Sequence, residues 1–291
     1  MCPSRNRAAG EMELFRALAV LSEAPTASHA RITEVLGMPP LPLGAAHTEL
    51  FLIQLPPYAS MYLGSEGMLG GDVRARVAGF LRALHLNVPD EPDHLAVLLA
   101  AYAAVAEREA EETEAARALL WREARKALLW EHLLSWLPCY LVKFQQIAGD
   151  SYHAWGLLLA DALRAEARSL GRQAMLPLHL REAPGLPSPA EAGVAAVVAA
   201  ILSPVRSGMI LTRSDLAHAA GSVGVGVRLG ERTSALRSLL SHDREAMLAW
   251  LREEADRWRA AHAANAECFG PVSEFWVARA AGASRQLISW A

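Results

Sequence analysis

From Leu95 to Ala106 the chain reads Leu-Ala-Val-Leu-Leu-Ala-Ala-Tyr-Ala-Ala-Val-Ala, apolar on nearly every face that a helix would present. A helix hydrophobic all round has to be wrapped by others. The segment therefore predicts the central helix of a helical body. It is shorter than the roughly 20 residues that span a bilayer, as is the apolar run Gly193 to Pro204, so both are expected to be buried in protein. Glu91-Pro92-Asp93-His94 leads into the run. Pro92 fixes the backbone, Asp93 is of a type that caps helices, and His94 falls in the first exposed turn.

Composition agrees with helices. The 291 residues are 53% hydrophobic, carried mainly by Ala and Leu, with 7% aromatic, a balance that favours helix over strand. The expected class is all-α. A formal charge of -3 offers no global attraction to nucleic acid or anionic lipid. Cys2, Cys139 and Cys268 are far apart and form no CxxC pair, which suits a reducing cytoplasm. The start, Met1-Cys2-Pro3-Ser4-Arg5-Asn6-Arg7, is polar and leads into Glu11 and Glu13 without an apolar h-region. The expectation is a cytoplasmic protein that is not itself exported.

Short amphipathic helices are predicted over 11–21 and 27–36, with a third near Gly44. Leu55 to Gly64, with Pro56 and Pro57, reads as an ordered aromatic loop. Asp72 can cap the next helix, which runs to about His85. Between Leu129 and Ala148 the apolar residues recur at three and four, and Pro138 predicts a kink near Leu134. His132, Trp136 and Lys143, at spacings of four and seven, are expected on a second face of that helix. A further helix covers 151–169. Five Pro and Gly residues between Leu176 and Pro189 mark the best boundary, dividing residues 1–180 from a helical extension over 184–291. Helices are predicted there over 190–202, 214–220, 231–240 and 243–263, and the tail from Pro271 is left open.

The chemistry-bearing residues point to gripping, not transforming. None of the ten histidines forms an HxxH or HxxxH pair, so no metal and no cofactor is expected. Gly221 to Gly230 lacks the Lys-Ser/Thr that closes a phosphate loop, and reads as a helix–helix connection. Cys139 is expected to be a buried small hydrophobe. Glu107 to Glu114 is a solvated helix end or a cation-attracting rim. With no nucleophile, metal set or phosphate cradle, the chain reads as a binding protein and not an enzyme.

Three ordered blocks carry a family resemblance: Pro56-Pro57-Tyr58-Ala59-Ser60-Met61-Tyr62-Leu63, Glu91-Pro92-Asp93-His94-Leu95 and His132-Leu133-Leu134-Ser135-Trp136-Leu137-Pro138. The chain thereby resembles the TorD/DmsD family of cytoplasmic chaperones for molybdenum enzymes of the dimethyl sulfoxide reductase type, over about Glu11 to Gly171. The resemblance implies a TorD-like helical bundle whose groove holds the leader peptide or apo form of a molybdopterin oxidoreductase, often a twin-arginine leader, until the cofactor is inserted. It implies a peptide site at Asp93 and His94, with Tyr58 and Tyr62 from the aromatic loop and His132 with Trp136 from the third block. A receptor for two guanidinium groups and an apolar stretch needs carboxylates beside a greasy groove, and this adds Glu91. The resemblance does not reach the C-terminal extension. With both apolar runs too short to span a bilayer, no membrane insertion is expected.

The main alternative is a helix-turn-helix transcription regulator within Leu211 to Leu240, with a winged-helix-like shape for that part. Between Ser203 and Arg244 the basic residues Arg206, Arg213, Arg228, Arg232, Arg237 and Arg244 outnumber Asp215, Glu231 and Asp243 by only three, so nucleic acid is disfavoured as a partner. A nucleotide hydrolase acting through the glycines is a second alternative, without a base or lysine to support it.

Overall fold

A computed structural model describes residues 3–42, 44–226 and 230–290, and among them all regular structure is helical. The all-α expectation holds. One isolated antiparallel bridge, Tyr58 with His94, is the sole sheet-like pairing among the described residues.

Helices α1 (Pro3–Leu21) and α2 (Ala27–Val35) come first, and Thr26 opens α2 by donating its N–H to His29 Nδ1 at 2.9 Å. The three-residue α3 (Ala45–His47) runs into a π-helical segment, Thr48–Gln54. The stretch expected to be a loop instead forms α4 (Ala59–Leu63). Helix α5 (Gly71–Ala83) follows Gly70, so Asp72 lies in its first turn and does not cap it. A glycine there admits the left-handed φ of 91° that this start requires.

Helix α6 (Leu95–Glu111) is the predicted central helix. Leu95, Leu98, Leu99, Tyr102, Ala103, Val105 and Ala106 are all buried, and α1 and α7 (Ala115–Ala127) pack against it. Beyond α7 the single kinked helix expected through Pro138 does not form. A π-helical segment, Leu128–Leu133, gives way to a turn at 134–136, and α8 (Leu137–Ile147) starts afresh with Pro138 in its first turn. Proline fits there because first-turn N–H groups have no intrahelical acceptor to lose. Helix α9 (Asp150–Leu170) completes the family-like part.

The remaining elements are α10 (Leu178–Arg181), α11 (Pro189–Ile201), α12 (Pro204–Ser207), α13 (Arg213–Ser222), α14 (Arg232–His242), α15 (Arg244–Ala263), α16 (Ala266–Phe269) and α17 (Pro271–Trp290). The tail left open by the sequence is therefore a 20-residue helix, burying Val272, Phe275, Trp276, Ala280, Ala283, Leu287 and Trp290 along one stripe. Its main neighbour is α15. One hydrophobic core runs from Phe15 through to Trp290 without a break at the 176–189 segment. Polar ties cross the same line: Ser203 Oγ donates to Gly64 O at 3.1 Å, and Trp276 Nε1 donates to Ser135 O at 3.2 Å. Gly208 closes α12 at φ 74°, and a Cβ there would meet Ala280 N at 2.4 Å, so only glycine lets α12 and α17 approach this closely.

Candidate functional site

Two of the three sequence blocks meet through their backbones. Leu95 N–H donates to Pro57 O at 2.8 Å and Ala59 N–H donates to Asp93 O at 3.0 Å. The Asp93 carboxylate, itself buried, accepts the N–H of Ser60 at 3.0 Å. Asp93 thus caps α4, the helix of the other block, and not the helix that follows it in sequence. His94 caps α6 instead: its backbone is extended (φ -67°, ψ 140°) and its Nδ1 accepts the Ala96 N–H at 3.2 Å. That bond requires the neutral ring with its proton on Nε2, and burial agrees by lowering the pKa of His94 against the opposing pull of Glu91.

Above this junction lies an open cavity of about 670 Å³, lined by Ser22, Glu23, His47, Phe51, Leu52, Pro57, Tyr58, Asp90, Glu91, His94 and Val97 among others. Tyr58 donates its hydroxyl to Glu91 at 2.7 Å, and its ring meets that of His94 edge-on at 4.9 Å between centroids. Burial, followed by the Glu91 hydrogen bond, pushes the Tyr58 pKa up to about 12, so the phenol stays protonated. Glu23, Asp90 and Glu91 are exposed on the rim. Leu52, 62% exposed, offers an apolar surface on the same wall. The combination of carboxylates, aromatic edges and aliphatic surface can hold a cationic, partly apolar chain.

Of the residues expected at the site, Tyr58, Glu91 and His94 line this cavity and Asp93 lies beneath it. The others stand elsewhere. Tyr62 and Trp136 stack with ring centroids 5.3 Å apart and planes 8° from parallel, both inside the core. Tyr62 donates to Pro56 O at 2.7 Å and Trp136 Nε1 to His132 O at 2.9 Å, so each satisfies its polar end internally. His132 is buried against Phe80, 4.6 Å between centroids. The shared face expected for His132, Trp136 and Lys143 is broken by the turn at 134–136, and Lys143 pairs with Asp215 at 3.0 Å. Glu23, His47, Phe51, Leu52 and Asp90 were not anticipated. The apolar run Leu50-Phe51-Leu52-Ile53, wider than one buried face of a helix, was the one sequence signal for Phe51 and Leu52.

The acidic run is largely paired within the chain. Glu107 meets Arg16, Glu109 accepts from Arg125 at 2.9 Å, and Glu112 accepts the N–H groups of Thr113 and Glu114. Cys139 is buried, as expected. Gly221 and Ser222 end α13, and Val223 to Gly226 lead from it toward α14, with residues 227–229, including Arg228, outside the described part. Two of the arginines between Ser203 and Arg244 are engaged within the chain: Arg232 donates to Leu211 O at 2.9 Å and Arg244 to Trp290 O at 2.7 Å. Among the described residues no group of three or more His, Cys, Asp or Glu is placed to hold a metal ion. No helix among them is long and apolar enough to cross a membrane.

With this geometry in view, residues 20–140 match the family described as nitrate reductase delta subunit, related to the TorD/DmsD chaperones of molybdoenzymes. The matched stretch contains all seven expected site residues and ends within α8, ahead of the whole C-terminal extension. At the level of the family this supports a molybdoenzyme-associated chaperone role, which is non-catalytic. No curated protein and no solved structure matches the chain.

Proposed function

We propose that the protein is a cytoplasmic chaperone that holds the leader peptide or immature form of a dimethyl sulfoxide reductase-type molybdoenzyme until its cofactor is inserted. The observation that carries the reading is the acidic, partly apolar cavity built where the two family-like blocks bridge. A twin-arginine leader presents two guanidinium groups followed by an apolar, helix-prone stretch. Glu23, Asp90 and Glu91 would receive the guanidinium groups, while Phe51, Leu52, Tyr58 and Val97 would receive the apolar stretch. His94 would bound the floor, and Asp93 would act as a positioning residue by fixing α4 against the start of α6. Tyr62 and Trp136 would support this floor from the core, while His132 packs on Phe80 of α5. Residues 1–180 would supply the site, and 184–291 would brace it as a helical extension that packs on α4 and on the 48–54 segment.

The test is binding of a synthetic leader peptide, by fluorescence anisotropy, beside affinity purification with mass spectrometry. Glu23→Gln/Glu91→Gln should weaken the peptide by about 2 kcal/mol or more if the contact is desolvated, and replacing the paired arginines of the peptide by Gln should do the same. Recovery of a molybdopterin oxidoreductase subunit by the normal chain, reduced in the double variant, supports both role and site. Equal recovery by both forms moves the site elsewhere.

A further inference from the structure

The C-terminal extension contains a second polar cavity, of opposite charge. It has a volume of about 260 Å³ and lies between α17, α12 and the extended residues Gly185 and Leu186, with Arg206, Arg279, Arg285 and Gln286 as its polar lining. Neither Asp nor Glu is among the lining residues. None of the three arginines forms an ion pair with a described residue.

Two of the guanidinium groups are anchored on backbone carbonyls of the 183–185 stretch. Arg206 Nε donates to Gly185 O at 3.1 Å, and one terminal nitrogen of Arg279 donates to Ala183 O. Arg279 also stacks on Phe275, 4.8 Å from its ring centroid. Each arginine spends one part of its fork on these anchors and keeps other N–H donors. Arg285 folds back over Gly282, its guanidinium 4.0 Å from where a Cβ would stand. A Cβ on Gly185 would lie 3.1 Å from Arg279, so this glycine lets the guanidinium rest against bare backbone.

Holding these cations together is unfavourable by itself. Arg279 has its pKa lowered, first by burial and then by the nearby charge of Arg206. An anion between them would relieve the repulsion and use the spare donors. Three forks supply more N–H groups than the two oxygens of one carboxylate accept, whereas a tetrahedral phosphate offers oxygens in several directions. We infer that this cavity is a phosphate-binding site, formed by Arg206, Arg279 and Arg285, that accepts a free phosphate anion or the phosphoryl group of a small molecule. It is separate from the acidic cavity and does not depend on the leader-binding reading.

Calorimetric titration of the full chain at constant ionic strength, with inorganic phosphate, pyrophosphate, adenosine monophosphate and acetate, tests it. One saturable site for the phosphate-bearing probes is expected. Arg285→Gln should weaken it at least about tenfold, and Arg206→Gln/Arg285→Gln further. Arg285 is exposed, so its variant should keep the normal melting temperature without ligand. Tighter binding of adenosine monophosphate than of either inorganic anion would assign the phosphoryl group of a larger molecule, and the reverse order a free anion. No saturable binding below concentrations on the order of 10 mM, equal affinity in the variants, or equal binding of acetate would overturn the site.

Discussion

The carboxylate of Asp93 accepts the backbone N–H of Ser60, 33 residues earlier in the chain, at 3.0 Å. It satisfies one of the donors at the start of α4 while its own backbone carbonyl takes the N–H of Ala59. Asp93→Ala leaves a buried N–H without a partner and is expected to cost about 2 kcal/mol of stability. Asp93→Asn, which keeps an acceptor oxygen, should cost about half as much. Glu91→Gln should do the reverse, shifting stability by less than about 0.5 kcal/mol while weakening the leader peptide. Urea unfolding and peptide titration on the same variants separate a positioning residue from a contact residue.

Acid should destabilise the protein through two buried imidazoles. Burial lowers His132 to about 4, with the charge of Arg76 acting in the same direction. Burial likewise lowers His262 to about 4, although its donated bond to Gly208 O at 2.9 Å opposes the shift. Both pKa values lie below the ordinary 6.5, so between pH 6.5 and 4 the unfolded chain binds more protons than the folded one. Stability is full above about pH 6.5 and falls as the pH drops toward 4, by roughly 3 kcal/mol for each imidazole. Unfolding free energies at pH 7, 6, 5 and 4.5 should show this slope, and His132→Phe should reduce it by about one proton.

A third expectation concerns the wall between α6, α7 and α9. Arg125 donates to Glu109 at 2.9 Å, to the hydroxyl of Tyr102 at 3.0 Å and to Glu166, whose side chain is 4% exposed. Tyr102 donates to the same Glu166 carboxylate. Glu166→Gln should cost about 3 kcal/mol, because part of a buried cation loses its counter-charge. Arg125→Met/Glu166→Leu should cost clearly less than the two single changes combined, and Tyr102→Phe only about 1 kcal/mol. A thermodynamic cycle in denaturant checks all three.

The central helix could be read from sequence because Leu95 to Ala106 allows no solvent-facing side. The roles of its neighbours were harder to read. Asp93 has the residue type of a local cap, and only the bridge between 57–59 and 93–95 shows that it serves another helix. His132 and Trp136 stand four apart, which implies one face, but the turn at 134–136 breaks the helical register between them. The same proline that suggested a kink begins α8. The stripe of α17 was diluted by alanines, so its periodicity rests on Phe275, Trp276, Leu287 and Trp290. Glu23, Phe51 and Leu52 join the cavity from elements distant in sequence from Glu91, a relation that no local spacing encodes.

The ion pair between Lys143 and Asp215 should tie the unfolding of the C-terminal helices to that of the family-like part. Lys143 lies in α8, is 2% exposed, and sits 5.4 Å from the ring centroid of Trp258. Asp215 lies in α13, where its carboxylate also accepts the N–H of Thr212 at 2.7 Å and the Thr212 hydroxyl at 2.8 Å. Asp215→Asn preserves an acceptor for the cap but leaves a buried ammonium without its counter-charge, an expected loss of about 3 kcal/mol. Thr212→Ala, which removes only the cap, should cost about 1 kcal/mol. Adding Lys143→Met to Asp215→Asn should restore much of the loss, giving a coupling energy on the order of 2 kcal/mol. Because the pair spans the 176–189 segment and the core is continuous there, fluorescence of tryptophans on either side should report one coincident transition in each variant. Two separate transitions, with the coupling near zero, would show instead that 184–291 folds as an independent unit.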